Sequence, residues 1–399
     1  MVAVLLGPLY FAWHIYLLWR IQKWLRGVSR FFNNKAVFMT INLAYLFMAF
    51  TIVIGFLSPA GSGFKRVTTV IGNYWLGGTL YVTMSYVLVW IFYKIVISVP
   101  AFKPEFWKRP HIQRVTGLVT VILTAVLCII GIISAHDIKI KKYTVEVDEP
   151  GFGTEDIRIC LVADIHMGYN IDIDFVSDMV EKINSTDPDL VLIGGDIFDN
   201  AYEAIEEPEK MAELYRQIKS RYGVYAVYGN HDIQEPILAG FTFASKDKKE
   251  ASPAMDEFLK KAGVINLRDE YVIIDDRLIL YGRPDYERPG RGIEERRSPQ
   301  KIMDFIGETD LPVLVLDHEP RELDELAEAG VDIDLCGHTH DGQTFPGNIV
   351  CALKWKNSCG YKVFGDMDSI VASGVGLFGP FMRLGTDAEV CEIILKKKA

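Results

Sequence analysis

The sequence predicts an all-α membrane region followed by an α/β layered domain, and three observations carry this prediction. Residues 1–135 hold twelve Lys and Arg and one acid, Glu105, whereas residues 136–399 hold 30 basic and 51 acidic residues. The basic part contains four long apolar runs. The acidic part alternates strand and helix patterns, as layered α/β folds do. A chain of 399 residues that is 50% apolar is neither disordered nor a small disulfide scaffold.

The apolar runs cover residues 2–19, 36–57, 75–97 and 115–133. A helix of about 20 residues crosses a hydrocarbon core of roughly 30 Å, so we expect four membrane-spanning helices. Lys94 is the only charged residue inside a run. No basic residue precedes the first run, which favours a retained helix over a cleaved signal peptide. Within the spans, we expect His14 to make an interhelical hydrogen bond or to lie near the interface, rather than to relay protons.

Basic residues in the loops between the runs predict the orientation of the helices. The loops at 20–35 and 98–114 carry nine Lys and Arg together, whereas the loop at 58–74 carries two. Cytoplasmic loops of membrane proteins are enriched in Lys and Arg, so the first and third loops are expected inside. The sequence therefore predicts a multi-pass protein of the cell membrane whose acidic domain is extracytoplasmic.

The acidic part alternates β-branched runs with amphipathic helical patterns. Strands are predicted at 138–147, 156–162, 190–193, 224–228, 271–281, 312–316, 333–336, 370–372 and 389–395. Helices are predicted at 174–183, 208–221, 252–262, 300–306 and 321–329. Two polar segments, 234–250 and 285–298, are expected to be loops.

Chemically active residues follow five of these strands directly. They form the motifs D-I-H at 164–166, G-G-D-I-F-D at 194–199, G-N-H-D at 229–232, D-H-E at 317–319 and G-H-T-H at 337–340. Five of the eight histidines lie in these motifs. Because open α/β sheets bind ligands at the carboxyl ends of their strands, we expect the motifs to converge. Carboxylates, imidazoles and one amide exceed what a single ion needs, and they predict a two-metal site with ions about 3.5–4 Å apart.

The five motifs, in this order, resemble the calcineurin-like metallophosphoesterase superfamily. The segments G-H-T-H-D-G-Q at 337–343 and S-G-V-G at 373–376 resemble its membrane-associated bacterial branch, which has N-terminal transmembrane helices. The resemblance spans about residues 138–399 and implies a sandwich of two mixed β-sheets flanked by helices. We therefore expect two domains, a transmembrane domain with four helices at 1–135 and a metallophosphoesterase catalytic domain at 136–399.

The resemblance also implies a role for each motif residue. The first metal ion would be bound by Asp164, His166 and His340, and the second by Asn230, His318 and His338, with Asp196 bridging both. His231 would stabilise the transition state and protonate the leaving oxygen, and the neighbouring Asp232 would orient its imidazole. Asp199 is a structural or supporting candidate.

The implied reaction is hydrolysis of a phosphodiester or pyrophosphate bond by a hydroxide that two divalent metal ions activate. Nitrogen and oxygen ligands without thiolate favour Mn²⁺, with Zn²⁺ or Fe as alternatives. We expect the lipid bilayer as a partner and a lipid-linked or cell-envelope phosphate ester as substrate, with no nucleic acid polymer. Two alternatives stay open: a nucleotide or cyclic-nucleotide phosphodiesterase merely tethered to the membrane, and a non-enzymatic membrane sensor with a vestigial site.

Several residues have two open interpretations at this stage. The arginines at 288, 291, 296 and 297 either meet a phosphate headgroup or are solvated, and Phe378, Phe381 and Met382 either touch an acyl chain or pack in the core. Cys351 and Cys359, eight positions apart in a loop-like stretch, either form a disulfide, if the domain is exported, or stay free. The substrate-binding residues are left unassigned.

Overall fold

The computed structural model describes residues 2–102, 104–107, 109–235, 237–238, 241–242, 252–288 and 296–398. The chain divides into two compact units. The first comprises Met1–Ile132 with the short segments Ile237–Phe243 and Gly379–Met382, and the second comprises Ile133–Pro236, Ala244–Phe378 and Arg383–Ala399. Most of the two predicted loops, including Arg291, lies outside the described residues.

The helices and strands are numbered in chain order. The helices are α1 Val2–Val28, α2 Lys35–Leu57, α3 Gly63–Ser98, α4 Pro104–Trp107, α5 Pro110–His136, α6 Ile173–Ser185, α7 Pro208–Tyr215, α8 Pro253–Ala262, α9 Pro299–Ile306, α10 Leu323–Ala329 and α11 Gly347–Lys354. The strands are β1 Ile138–Val147, β2 Ile157–Val162, β3 Leu190–Gly194, β4 Val224–Val227, β5 Ile237–Leu238, β6 Phe241–Thr242, β7 Val264–Asn266, β8 Glu270–Ile274, β9 Leu278–Gly282, β10 Val313–Leu316, β11 Ile333–Cys336, β12 Gly360–Phe364, β13 Met367–Val371 and β14 Ala388–Lys397.

The first unit contains the apolar helices. Three of them, α2, α3 and α5, are long and apolar enough to cross a membrane, so the prediction of four spans is wrong in number for the described residues. The remaining long helix, α1, contains Pro8, and its three basic residues follow the apolar run 2–19. His14 of α1 is buried, and its Nδ1 lies 2.9 Å from the Tyr45 hydroxyl of α2, which confirms the expected interhelical hydrogen bond.

Close packing of α2 and α3 depends on glycine. A Cβ added at Gly72 of α3 would lie 2.8 Å from the backbone N and Cα of Ile52, whereas one added at Gly78 of the same helix meets nothing within 4 Å. Helices in membranes associate through such small-residue contacts. We therefore expect Gly72→Ala to lower the unfolding temperature of the detergent-solubilised protein, because overpacking costs about 1–3 kcal/mol. Gly78→Ala is the matched control, and equal unfolding temperatures for the two variants would contradict this packing.

The second unit is built on two mixed six-stranded sheets. The strand order is β1-β14-β2-β3-β4-β7 in the first sheet and β12-β13-β11-β10-β9-β8 in the second. The runs β2-β3-β4-β7 and β13-β11-β10-β9 are parallel, and antiparallel neighbours join them at β14, β12 and β8. Leu161 and Leu192 of the first sheet share one buried cluster with Leu316 and Leu335 of the second. The predicted α/β sandwich of two mixed sheets is thus confirmed.

Two differences from the predicted elements have local causes. The predicted strand 271–281 is a hairpin of β8 and β9, because Asp275 and Asp276 take left-handed φ values of 54° and 53° and turn the chain. The short strands β5, β6, β7 and β12 were not predicted, and β5 and β6 lie in the segment 234–250 that was expected to be a loop. β12 is an edge strand with exposed Tyr361 and Val363, so its sequence does not show the buried pattern of the central strands.

Candidate metal centre

The predicted site residues lie at the carboxyl ends of parallel strands. Strands β2, β3 and β4 are neighbours in one sheet, and β10 and β11 are neighbours in the other. Each of these strands is apolar and buried along most of its length, and its polar motif begins within three residues of its last residue. The sandwich therefore brings together motif residues that are far apart along the chain, the most distant being Asp164 and His340, which are 176 residues apart.

The backbone carries these side chains in an unusual conformation. Asp164, His166, Asp196, His338 and His340 all have φ values between 50° and 72°. Non-glycine residues adopt this left-handed region rarely, at a cost of about 1–3 kcal/mol each. Backbone hydrogen bonds hold the turns, including His166 N–H to Asp196 O at 2.9 Å and Asp164 N–H to Gly195 O at 3.0 Å. The fold thus sustains strain where the five side chains must converge.

Asp164, His166 and His340 form one of three groups of described residues suited to a metal ion, and we call it the first ligand group. One ligand atom from each lies within 4.8 Å of the others. The Nε2 atoms of His166 and His340 are 3.1 Å apart, and Asp164 Oδ1 lies 3.8 Å from His340 Nε2. These are the three residues that the sequence analysis assigned to the first ion.

Asp196, His318 and His338 form the second ligand group. The Asp196 Oδ2 atom is 3.2 Å from His318 Nε2, and the Asn230 Oδ1 atom is 3.1 Å from His318 Nε2 and 3.0 Å from His338 Nδ1. Asp196 Oδ2 also lies 3.7 Å from His166 Nε2 of the first group. Asp196 is therefore placed between the two groups, as the bridging role requires.

The chemistry of these donors fits divalent cations. Burial lowers the pKa of His166 to about 3, and it holds the pKa values of His338 and His340 well below the usual value, so these rings are neutral. Neutral imidazole is the form that binds metals. Burial also raises the pKa of Asp164 to about 7, although His318 lowers it, and the nearby Asp196 carboxylate raises it further. The Nδ1 atoms of His166 and His340 are buried and have no hydrogen-bond partner among the described residues.

His231 lies beside the first ligand group. Its ring centroid is 5.0 Å from that of His166, and its backbone N–H donates to Asp196 Oδ1 over 2.7 Å. Burial lowers the pKa of its imidazole. The half-buried Phe378 ring, 4.4 Å from the His231 ring centroid to centroid, covers one side of it. The sequence left Phe378 open between acyl contact and core packing, and the structure places it at the site.

Asp232 has a different position from the one expected. Its Oδ1 accepts from Phe198 N–H and its Oδ2 from Gly229 N–H, both over 2.7 Å, and the side chain is fully buried. The carboxylate therefore fixes the backbone of the G-N-H-D turn. Asp199 is near the imidazole, with Oδ1 3.8 Å from His231 Nδ1, a distance longer than a hydrogen bond.

Sequence reasoning missed a buried ion-pair network behind His318. The Asp317 carboxylate accepts from Arg296 Nη1 over 2.9 Å, from Arg283 Nη1 over 3.3 Å and from the His318 backbone N–H over 2.8 Å. Burial alone would raise the pKa of Asp317, but Arg296 and Arg283 hold it below the usual value. Arg296 is thus a structural support rather than a solvated headgroup ligand. No sequence signal distinguished it from its neighbours, because the partner is 21 residues away.

We expect Arg296→Met to lower the free energy of unfolding by about 3 kcal/mol, because removing one partner of a buried ion pair leaves an uncompensated charge. Denaturant unfolding of the solubilised protein measures the change. The exposed pair of Arg216 and Glu213 supplies the control, since Arg216→Met should cost at most about 1 kcal/mol. Equal losses in the two variants would contradict a buried support.

The structure also locates the other residues that had two interpretations from the sequence. Phe381 and Met382 are buried and belong to the first unit, where a Cβ added at Gly77 of α3 would lie 2.8 Å from Met382 Sδ. Arg288 pairs with Glu235, and Arg297 pairs with Asp269. Cys351 and Cys359 are both free, so the structure contains no disulfide between them.

A model of the family described as calcineurin-like phosphoesterase matches residues 157–342. This range contains every residue of both ligand groups. Residues 157–342 are a calcineurin-like phosphoesterase domain. The resemblance of the five motifs to that superfamily is thereby confirmed.

This phosphoesterase domain has relatives in other membrane and bacterial proteins. The chain is similar to a transmembrane protein with metallophosphoesterase domain of Danio rerio, with 27% identity over 295 residues, which covers 70% of this chain and 62% of the relative. It is also similar to a metallophosphoesterase of Helicobacter pylori, with 29% identity over 274 residues, 65% of this chain and 64% of the relative. A metallophosphoesterase of Aquifex aeolicus is 28% identical over 269 residues, 67% of this chain and 95% of the relative. The matches span less than two thirds of the first two relatives.

Proposed function

We propose that this chain is a membrane-anchored phosphoesterase that binds two divalent metal ions and hydrolyses phosphodiester or pyrophosphate bonds in a lipid-linked or cell-envelope substrate. The observation that carries the proposal is the position of Asp196, whose Oδ2 lies 3.7 Å from His166 Nε2 and 3.2 Å from His318 Nε2. A carboxylate between two ligand groups suits a pair of ions about 3.5–4 Å apart, the spacing of two-metal phosphoryl-transfer sites.

Seven residues hold the ions in this proposal. Asp164, His166 and His340 would hold the first ion, Asn230, His318 and His338 would hold the second, and Asp196 would contribute to both. When bound, the ions would lower the pKa of a water molecule and stabilise negative charge on the phosphoryl oxygens. The donor set of carboxylate, imidazole and amide favours Mn²⁺, with Zn²⁺ or Fe as alternatives.

His231 moves the proton in this proposal. Its backbone N–H donates to the bridging carboxylate of Asp196, and its Nδ1 lies beside Asp199 Oδ1. The backbone hydrogen bond holds the residue next to the bridging carboxylate. Once it has taken up a proton from solvent, the imidazolium can donate that proton to the leaving oxygen as the ester bond breaks.

The substrate class is argued from the membrane helices. Three helices of the same chain are long and apolar enough to cross a membrane, and one relative is named a transmembrane protein. A domain anchored in this way meets lipid-linked esters at high local concentration. The basic loops at 20–35 and 98–114 favour a multi-pass arrangement with the phosphoesterase domain outside the cytoplasm.

Full-length protein reconstituted in phospholipid nanodiscs with Mn²⁺ tests the function. We expect a higher kcat/KM for lipid-linked phosphodiesters or pyrophosphates than for soluble nucleotides and cyclic nucleotides. Turnover of cyclic nucleotides without any product from a lipid extract would support the tethered nucleotide phosphodiesterase instead. Absence of turnover on both classes would contradict an enzymatic role.

The orientation has its own test. Ile273 of β8 is 51% exposed, so Ile273→Cys presents a thiol on the domain surface. A membrane-impermeant maleimide should label this variant in intact cells above the background of the unsubstituted protein. Labelling that occurs only after permeabilisation would place the domain in the cytoplasm.

A further inference from the structure

Helix α11 presents an apolar surface that nothing in the described part of the chain covers. Ile349, Val350 and Leu353 are 51%, 63% and 83% exposed, and Phe345 just before the helix is 43% exposed. Residues three and four apart lie on one face of a helix, so Ile349, Val350 and Leu353 are neighbours. We call Phe345, Ile349, Val350 and Leu353 the α11 apolar face. Large apolar patches of this kind mark protein or membrane contact sites.

The helix is fixed to the metal centre on its other side. Cys351 is buried, and its Sγ lies 3.6 Å from the backbone oxygen of Thr339, between the two histidines of the G-H-T-H motif. The Trp355 ring, directly after the helix, lies 5.3 Å from the His338 ring, centroid to centroid. The apolar face is therefore rigidly placed next to the second ligand group.

The residues at the end of α11 have the chemistry of a lipid interface. Trp355 is half-buried, and the Lys354 ammonium lies 4.7 Å from its ring centroid. Lys356 follows one residue later and pairs with Asp324. An apolar face bordered by tryptophan and lysine is the pattern of helices that lie in the plane of a membrane surface, with the basic groups near lipid phosphates.

We propose that the α11 apolar face inserts into the headgroup and acyl boundary of a bilayer that contains anionic phospholipids. The bilayer is the chosen occupant because the same chain carries three apolar helices that can cross a membrane, and because Lys354 offers the matching charge. This contact goes beyond the proposed hydrolysis and does not depend on the identity of the substrate. Its consequence is that the second ligand group, beside Trp355, opens near the lipid phosphates.

Spin labelling of full-length protein tests this contact without measuring catalysis. A nitroxide spin label is attached to Leu353→Cys or Val350→Cys, and each variant is reconstituted in nanodiscs of phosphatidylcholine and phosphatidylglycerol. The collision rates of the label with oxygen and with a water-soluble nickel chelate are then measured. Both labels should show lipid-like accessibility at a depth of about 5–10 Å below the phosphates. The side chains replaced are mostly exposed, so the substitutions leave the core intact.

Ile273→Cys is the matched control, because Ile273 and Ile349 are both 51% exposed and Ile273 lies on β8, away from the helix in sequence. The label at residue 273 should collide with the nickel chelate as a water-exposed site does. Unsubstituted protein, treated identically, gives the background signal from labelling of the native cysteines. Water-like accessibility at residues 350 and 353 would overturn the proposal. The proposal would also be overturned if the labels at residues 350 and 353 collided with neither oxygen nor the nickel chelate and showed strong spin–spin broadening. That result would mean that a second copy of the chain covers the face.

Discussion

Replacement of Asp196 by Asn is expected to lower kcat/KM by about 10³-fold and to reduce the metal content of the protein. The amide keeps the size of the side chain and an oxygen that accepts the His231 N–H, but it removes the negative charge that lies between the two ligand groups. Burial alone would raise the pKa of Asp196, yet His318 and His231 hold it well below the usual value. The native side chain is therefore an anion that a neutral amide cannot replace.

Two measurements check this result, the metal-to-protein ratio by mass spectrometry and kcat/KM on an aryl phosphodiester. The matched control is Asp187→Asn, because Asp187 also has a left-handed φ of 49° but carries a side chain that is 96% exposed. Asparagine tolerates this backbone region as well as aspartate does. Unchanged metal content together with unchanged kcat/KM in Asp196→Asn would contradict the bridging role.

Much of the fold and of the site could be predicted because the relevant signals are local. A buried parallel strand is a short apolar run, and the polar motif that ends it contrasts sharply with that run, as at β2 before Asp164 and β11 before His338. The convergence of such ends follows from sheet geometry alone. The pairing of the motifs into two particular ligand groups came from the resemblance to a known superfamily, since spacing along the chain carries no such information.

What could not be predicted depends on contacts between distant residues. Asp199 and Asp232 are both acids near the same turn, and only the backbone donors Phe198 N–H and Gly229 N–H explain why Asp232 points inward. Arg296 looks like its neighbours in sequence until Asp317 is placed beside it. The left-handed backbone of His338 and His340 is equally hidden, because histidine has no sequence preference strong enough to indicate it.

His231→Ala is the second substitution with a large expected effect, and its effect should depend on the leaving group. Loss of a general acid typically lowers the rate by about 10²–10⁴-fold. Departure of an alkoxide requires a proton, whereas a nitrophenolate departs without one. We therefore expect kcat to fall much more for an alkyl phosphodiester than for a nitrophenyl phosphodiester, with the metal content unchanged.

The position of His231 makes this outcome separable from metal loss. The residue touches Asp196 through its backbone N–H, which alanine retains, so truncation removes the ring and leaves that hydrogen bond in place. His111→Ala, at an exposed position on α5, controls for loss of a histidine elsewhere in the chain. Equal losses of kcat for the alkyl and nitrophenyl esters would contradict proton donation by His231. A fall in metal content in His231→Ala would instead make this imidazole a ligand, beside His166 and Asp199, with which it forms a third convergent group.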